Sequence, residues 1–197
     1  MLKEAIRQQA LASRKNLSDE KWLSMNQAIQ KNLLEFLHDF SAGTKVLSFQ
    51  SILEKREIDL TYTHEKLTKS PFEFSLGFPR ANAKDFSMQT FLTNESTTFE
   101  QSAWGIWEPK PSSSQEMFAK DWDVVLVPLL AIDLNGHRVG YGKGFYDRFL
   151  AQTKANALHI GLSLDSLIDP ISDLHEHDIA LDLAISPEGI HRFNEKK

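Results

Sequence analysis

DVVLVPLLAIDLNGHRVGYGKGFYDRFL, residues 123 to 150, is the stretch that decides how this chain is read. Its opening, Asp123 to Leu130, is an almost unbroken apolar run rich in Val and Leu. A strand wetted on one face alternates apolar and polar residues; a strand buried on both faces of a parallel sheet does not. The run therefore predicts a central strand. Behind it come Gly136, Gly140, Gly142 and Gly144, four glycines within nine residues. A buried strand, a Gly-rich turn and a helix start can cup a phosphate with backbone amides. Arg138, Lys143 and Arg148 add positive charge, and Asp147 could hold a divalent metal. No GxxxxGK[ST] is present, nor a GxGxxG followed by a distant acid. Glycine spacing alone leaves an ordinary strand-to-helix turn as an equal alternative, with Lys143 merely solvated. Three cations, two tyrosines and a carboxylate within eleven residues favour a ligand, because a plain turn needs none of the cations.

Outward from this segment the pattern alternates. Residues 2 to 16 predict an amphipathic helix with Leu2, Ala5, Ile6 and Leu11 on its apolar stripe and Lys3, Arg7 and Arg14 off it. Ser18, followed by Asp19 and Glu20, starts a second helix that is expected to run to Gly43. A strand at 45 to 50 and a helix at 59 to 69 follow. Strands are expected at 72 to 78, 86 to 92 and 97 to 101, then a surface loop at 109 to 116. After the Gly-rich turn come a helix at 143 to 155 and strands at 158 to 163 and 182 to 186. Strands alternating with helices indicate an α/β fold with a mainly parallel sheet.

The 197 residues suit about one domain. With 22 Lys plus Arg against 27 Asp plus Glu, the net charge is -5, which argues against a general nucleic-acid or membrane-surface binder. It leaves room for one basic pocket. The chain has no cysteine, so disulfides, thiolate zinc sites and cysteine nucleophiles are excluded. Charges at Lys3, Glu4 and Arg7 stand where a signal peptide needs an apolar run, and Val124 to Ile132 is too short to span a bilayer. A cytoplasmic location is the expectation.

The residue 123 to 150 segment closely resembles the signature of the 5-formyltetrahydrofolate cyclo-ligase family, also called 5,10-methenyltetrahydrofolate synthetases. Shorter matches flank it in order: Lys3 and Arg7 at the N-terminus, Arg56-Glu57-Ile58-Asp59, Phe78-Pro79-Arg80, Gly105 to Pro109, and His177-Asp178 followed by Asp182. The resemblance implies a single domain over 1 to 197. It also implies a three-layer Rossmann-like α/β fold resembling the isomerase and CoA-transferase-like architecture. The implied activity is ATP- and Mg2+-dependent closure of 5-formyltetrahydrofolate to 5,10-methenyltetrahydrofolate, releasing ADP and phosphate. ATP would phosphorylate the formyl oxygen, and N10 would attack the activated carbon.

Carried onto this chain, the resemblance implies Lys143, Arg138 and Tyr146 as the groups serving the chemistry. ATP would meet Lys3, Arg7, Arg138, Gly140, Gly142, Lys143, Gly144, Phe145 and Tyr146. The folate would meet Arg7, Ile52, Glu57, Trp104, Tyr141 and Phe145, with the Glu57 carboxylate pairing the pterin amino group and adjacent N–H. Asp147 and Asp178 would hold Mg2+. Positions 141 and 145 vary within the family, often Arg or Gly and Tyr respectively, and Phe145 lacks a hydroxyl. The expected partners are small molecules: ATP and the folate, with or without a polyglutamate tail. A monomer is expected, with a dimer as the alternative.

Each residue also has a plainer reading: solvated charge for Lys3 and Arg7, a helix-start acid for Asp147 and Glu57, surface charge for Asp178, core packing for Ile52, Trp104 and Phe145. Other functions fit parts of the pattern. His175, His177 and Asp178, with Asp133 and His137, could form a transition-metal cluster in a metallohydrolase. A nucleotide-binding module without turnover and a sugar-phosphate isomerase or acyl-transfer enzyme are further alternatives.

Overall fold

A computed structural model describes residues 1 to 193. Its elements follow the chain as α1 (Lys3–Lys15), α2 (Asp19–Leu37), β1 (Lys45–Leu47), α3 (Thr61–Leu67), β2 (Ser75–Ala81), β3 (Met88–Leu92), β4 (Phe99–Gln101), β5 (Trp107–Pro109), β6 (Gln115–Met117), β7 (Val124–Pro128), β8 (Ala131–Ile132), β9 (Arg138–Val139), α4 (Phe145–Leu150), β10 (Leu158–Leu162), β11 (Leu183–Ser186) and β12 (Gly189–Arg192).

β7 is the central strand that its sequence predicts. Val124 and Leu126 pack with Ile29, Leu33 and Leu37 of α2, whereas Val125 and Val127 pack with Trp122, Phe149 and Leu150 on the other face. Both faces being covered, successive residues are apolar without alternation. Eight strands form one sheet in the order β12-β11-β10-β7-β1-β2-β3-β6. β11, β10, β7, β1 and β2 run parallel, with antiparallel pairing at β2–β3, β3–β6 and β11–β12. The mainly parallel α/β sheet is thus present, with helices against it.

The strand order carries a functional consequence. From β1 the chain moves to β2 on one side, then returns to β7 on the other and continues outward to β10 and β11. The connection therefore reverses direction between β1 and β7. In open α/β sheets the crevice beyond the carboxyl ends of strands at such a reversal is where ligands bind.

Several element boundaries differ from expectation. α2 is capped by Ser18, whose Oγ accepts the Lys21 N–H at 3.2 Å, but it ends at Leu37 and not near Gly43. α3 is shorter than 59 to 69, because the Asp59 carboxylate takes the Thr61 N–H at 2.9 Å and starts the helix there. α4 spans only Phe145–Leu150: Gly144, at φ +71°, precedes it, and the Thr153 hydroxyl donates to the Leu150 carbonyl at 2.8 Å to close it. β2 lies a few residues later than 72 to 78. The expected loop at 109 to 116 holds the end of β5 and most of β6, and the two-residue β8 and β9 and the edge strand β12 have no counterpart in the expected pattern. The buried face of α1 is Ile6, Ala10 and Arg14, while Leu2 and Leu11 are exposed. Among the described residues no helix is long and apolar enough to cross a membrane.

Candidate active site

The crevice at the β1/β7 reversal is a cleft of about 590 Å³. Phe49 and Gln50, just after β1, and Pro128, the last residue of β7, lie in its wall. The Gly-rich segment 138 to 147 forms another wall. The residues that the resemblance assigns to ATP, folate and Mg2+ all line this one cleft: Lys3, Arg7, Ile52, Glu57 and Trp104 from the first half, and Arg138, Gly140, Tyr141, Gly142, Lys143, Gly144, Phe145, Tyr146, Asp147 and Asp178 from the second; Arg148, Asp133, His137, His177 and Asp182 do not.

The cations reach the cleft from several elements. Lys3 and Arg7 are one turn apart on α1, on the face that carries Ala10 and Arg14. The Arg7 Nε donates to the Gly140 carbonyl at 2.9 Å. Gly142 holds φ +87°, and a Cβ there would lie 3.1 Å from the Arg7 guanidinium, so glycine serves both the turn and the approach of the cation. Lys143 is exposed, with its ammonium 5.6 Å from the Phe86 ring centre. Arg148 donates to the Lys143 carbonyl at 2.9 Å, which ties the loop to the first turn of α4.

Two carboxylates face these cations, each already tethered to one. The Asp147 Oδ1 accepts from Arg138 at 2.7 Å and from the Ile179 N–H at 3.3 Å. Arg138 also donates to the Ile179 carbonyl at 2.7 Å, so both of its terminal nitrogens have protein acceptors. Burial lowers the pKa of the Arg138 guanidinium, against the support of Asp147. This arginine orients Asp147 as much as it offers charge to the cleft. Asp178 forms an ion pair with Lys3 and accepts the His175 N–H at 2.6 Å. Burial works to raise the Asp178 pKa, but His175 and Lys3 outweigh it and hold the carboxyl below its ordinary range.

The other chemistry in the cleft is aromatic and acidic. The Phe145 ring meets Trp104 edge-on with centres 5.7 Å apart, and Phe86 at 5.8 Å. Glu57 is buried; its Oε1 accepts the Tyr141 hydroxyl at 2.6 Å and its Oε2 the Ile52 N–H at 2.7 Å. Burial, then Glu57, pushes the Tyr141 hydroxyl pKa upward, so Tyr141 is a donor here. Burial likewise raises Tyr146, which packs against the Val125–Phe149 cluster.

The Asp147 and Asp178 donor set suits Mg2+, a hard ion that keeps several waters and takes one or two protein carboxylates. It does not suit a transition-metal cage: among the described residues no three His, Asp or Glu come together to hold a metal. His175, His177, Asp178, Asp133 and His137 therefore form no cluster. Asp133 instead accepts the Asn135, His137 and Ile171 N–H groups at 2.9 to 3.0 Å and closes the β8–β9 turn.

Sequence reasoning missed Arg14, Lys55 and Glu108. Arg14 is 3% exposed, not off the buried stripe; its place one, two and three turns along from Ala10, Arg7 and Lys3 was the available signal. Glu108 stands in the cleft wall inside the Gly105 to Pro109 motif, accepts the Ala81 N–H at 3.1 Å, and has its carboxyl pKa raised by burial. Lys55, whose ammonium lies 5.0 Å from the Tyr141 ring centre, carries no sequence signal.

The sequence profile of the 5-formyltetrahydrofolate cyclo-ligase family matches residues 1–187. The chain belongs to that family. Among its curated members, the 5-formyltetrahydrofolate cyclo-ligase of Mycolicibacterium smegmatis is 37% identical over 92 residues, 46% of this chain and 47% of the relative. That of Mycoplasma pneumoniae is 26% identical over 194 residues, 95% of this chain and 100% of the relative. The NMR structure of Aquifex aeolicus 5,10-methenyltetrahydrofolate synthetase superposes with a TM-score of 0.80 at 25% identity, covering 100% of this chain and 95% of that one. With the first curated relatives, the chain aligns over about half of their length or less. The segment 123 to 150 lies within the matched residues and supplies both the central strand and one wall of the cleft.

Proposed function

We propose that this chain closes 5-formyltetrahydrofolate to 5,10-methenyltetrahydrofolate with ATP and Mg2+, releasing ADP and phosphate. The observation that carries the reading is the convergence, in one cleft at the β1/β7 reversal, of a glycine loop with cations, two tethered carboxylates and a buried acid beside aromatic walls.

The chemistry explains why these groups are needed and a nucleophilic side chain is not. Direct cyclisation would have to expel the formyl oxygen as hydroxide. Transfer of the ATP γ-phosphoryl to that oxygen turns it into a phosphate ester. The N10 amine then attacks the formyl carbon and gives up its proton to solvent, and the C–O bond breaks as inorganic phosphate leaves with its electron pair. The protein's task is positioning and charge neutralisation. Lys143, Arg7 and Lys3 would neutralise the triphosphate oxygens, and the amides around Gly140 to Gly144 would approach them. Asp147 and Asp178 would hold Mg2+, which when bound supplies Lewis-acid neutralisation at the phosphates. Glu57 would accept from the pterin amino group and neighbouring N–H, with Ile52, Trp104 and Phe145 as apolar walls. Tyr146 and Arg138 would fix the loop and Asp147 from behind.

The test is direct. Protein, ATP, Mg2+ and 5-formyltetrahydrofolate are mixed and the near-ultraviolet absorbance of the methenyl product is followed. Product should form only with all three small molecules present. No product from demonstrably folded protein would sink the assignment.

A further inference from the structure

Five Lys and Arg side chains line the cleft, and three are already engaged by the protein. Lys3 pairs with Asp178, Arg7 with Glu4 and the Gly140 carbonyl, and Arg138 with Asp147 and the Ile179 carbonyl. Among the described residues, Lys55 and Lys143 are the exceptions. Each ammonium rests on a ring and on no oxygen: Lys55 lies 5.0 Å from the Tyr141 centre, and Lys143 lies 5.6 Å from that of Phe86. A cation–π contact at an exposed site is weak, so an anionic oxygen displaces it at small cost. Lys143 belongs to the glycine loop. Lys55 comes from the other side of the cleft.

The chain fixes where Lys55 stands. It ends a single 3-10 turn, Leu53–Lys55, that leads into Glu57. The Ile52 N–H donates to the Glu57 carboxylate at 2.7 Å, and the Glu57 N–H returns to the Ile52 carbonyl at 3.4 Å, so the turn and the acid are locked together. Arg56 takes the left-handed conformation at φ +51°, which a side chain adopts only when its surroundings hold it there. Asp19 of α2 holds it, accepting from the guanidinium at 2.6 Å, and Trp22 lies beneath. With Arg56 turned outward to α2, the next residue back, Lys55, reaches into the cleft wall.

Tyr141 gives that position its meaning. Its backbone lies in the glycine loop between Gly140 and Gly142, and its hydroxyl donates to Glu57 at 2.6 Å. The side chain thus spans from the wall proposed for ATP to the acid proposed for the pterin. Lys55 sits over the ring in the middle of this span. In the proposed reaction the γ-phosphoryl must cross the same interval. Its bond to the bridging oxygen of ADP breaks, ADP keeping the electron pair, and the formyl oxygen on the pterin forms the new O–P bond. Charge on the phosphoryl oxygens is then furthest from the cations of α1, and Lys55 is the free cation at that place.

We infer that Lys55 is a catalytic residue for phosphoryl transfer, its ammonium meeting the phosphoryl oxygens as the group passes from ATP to the formyl oxygen. The ammonium stays protonated throughout and acts by charge alone. The inference rests on the function proposed above and adds to it a residue that serves the transition state and neither substrate's binding.

Lys55→Met, Lys55→Gln and Lys55→Arg test it, each first checked for folding by circular dichroism. Steady-state assays give kcat and both KM values, and single-turnover rates with enzyme in excess give the chemical step where product release limits kcat. Lys55→Met and Lys55→Gln should slow single turnover about a hundredfold, with both KM values within about threefold, as for loss of one group that stabilises transition-state charge. Lys55→Arg should recover at least about tenfold of that. The inference is overturned if single turnover is unchanged in a folded neutral variant. It is equally overturned if only the ATP KM rises, which makes Lys55 a nucleotide clamp, or if only the folate KM rises, which makes it a contact to the folate's carboxylates. Should Lys55→Met fail to fold, Lys55→Gln decides. A wild type that makes no methenyl product is a failure of the functional reading, and it is seen before any variant is compared.

Discussion

At the residue scale, the site divides into groups that meet ligand and groups that hold those groups. On the proposed function Lys143 would be of the first kind, since it is exposed in the cleft wall. Lys143→Ala should weaken ATP binding about tenfold and leave 5-formyltetrahydrofolate binding within about twofold, read by titration calorimetry. Unchanged ATP affinity would remove Lys143 from the phosphate site. Asp147 combines both roles, since one oxygen is occupied by Arg138 and Ile179. Asp147→Asn should keep the fold and raise the Mg2+ concentration for half-maximal activity about tenfold; a magnesium titration that does not move would leave Asp147 as a brace for α4. The contiguous Gly-rich residues could be read from sequence because glycines, cations and an acid are crowded into one short segment. Glu57 and Trp104 needed the family resemblance. Arg14 and Lys55 were hidden because their importance lies in what comes against them from distant parts of the chain.

At the element scale, two glycines show how the sequence fixes local geometry for different reasons. Gly77, on β2, lies against Trp122 and the Phe91 carbonyl; an added Cβ would sit 2.1 Å from the indole and 2.5 Å from that oxygen. The carbonyl belongs to the sheet and cannot yield, so Gly77→Ala should cost about 3 kcal/mol by overpacking, measured by urea unfolding. Gly142 meets only the tip of Arg7, and its constraint is the positive φ. Gly142→Ala should cost about 1 kcal/mol in stability, but it should weaken ATP binding more than Gly77→Ala does at temperatures where both are folded. Long, strongly patterned elements such as β7 and α2 were legible. The two- to four-residue strands β5, β6, β8, β9 and β12 were not, because so short a segment has no period, and pairing with a neighbour defines it. The early end of α2 is similarly a tertiary matter, the chain turning so that the Gly43 N–H reaches the Glu73 carbonyl at 3.0 Å.

At the scale of the whole molecule, the sheet order explains why one cleft gathers the site, and a half-buried histidine gives the fold a pH dependence. His64 shares a 2.8 Å hydrogen bond with the fully buried Ser48 and meets the Phe78 ring edge-on. Burial pushes its pKa down to about 4, against weak support from Asp59. In the unfolded chain a histidine titrates near its ordinary value, about 6.5. Above that pH both states are neutral and nothing is lost. As pH falls toward 4 the unfolded state takes a proton that the folded state refuses, so stability drops by on the order of 2 to 3 kcal/mol, levelling off near 4. Urea unfolding at pH 7, 5.5 and 4 should show this, and His64→Gln should flatten that part of the curve. A slope unchanged in the variant would assign the pH dependence elsewhere.

The same scale exposes a property of the cleft's construction. Lys3 donates its backbone N–H to Asp173 at 2.8 Å and pairs with Asp178, contacts that join residues 170 and 175 positions apart. The end of the cleft proposed to take nucleotide is therefore closed by the first and the last thirds of the chain together. A ribosome-bound or truncated chain ending before residue 173 would present the whole glycine loop and still lack half of its clamp. Ligand-induced protection from proteolysis should accordingly appear only once translation has passed that point, which makes bound nucleotide a reporter of completed synthesis and folding and not of the loop alone.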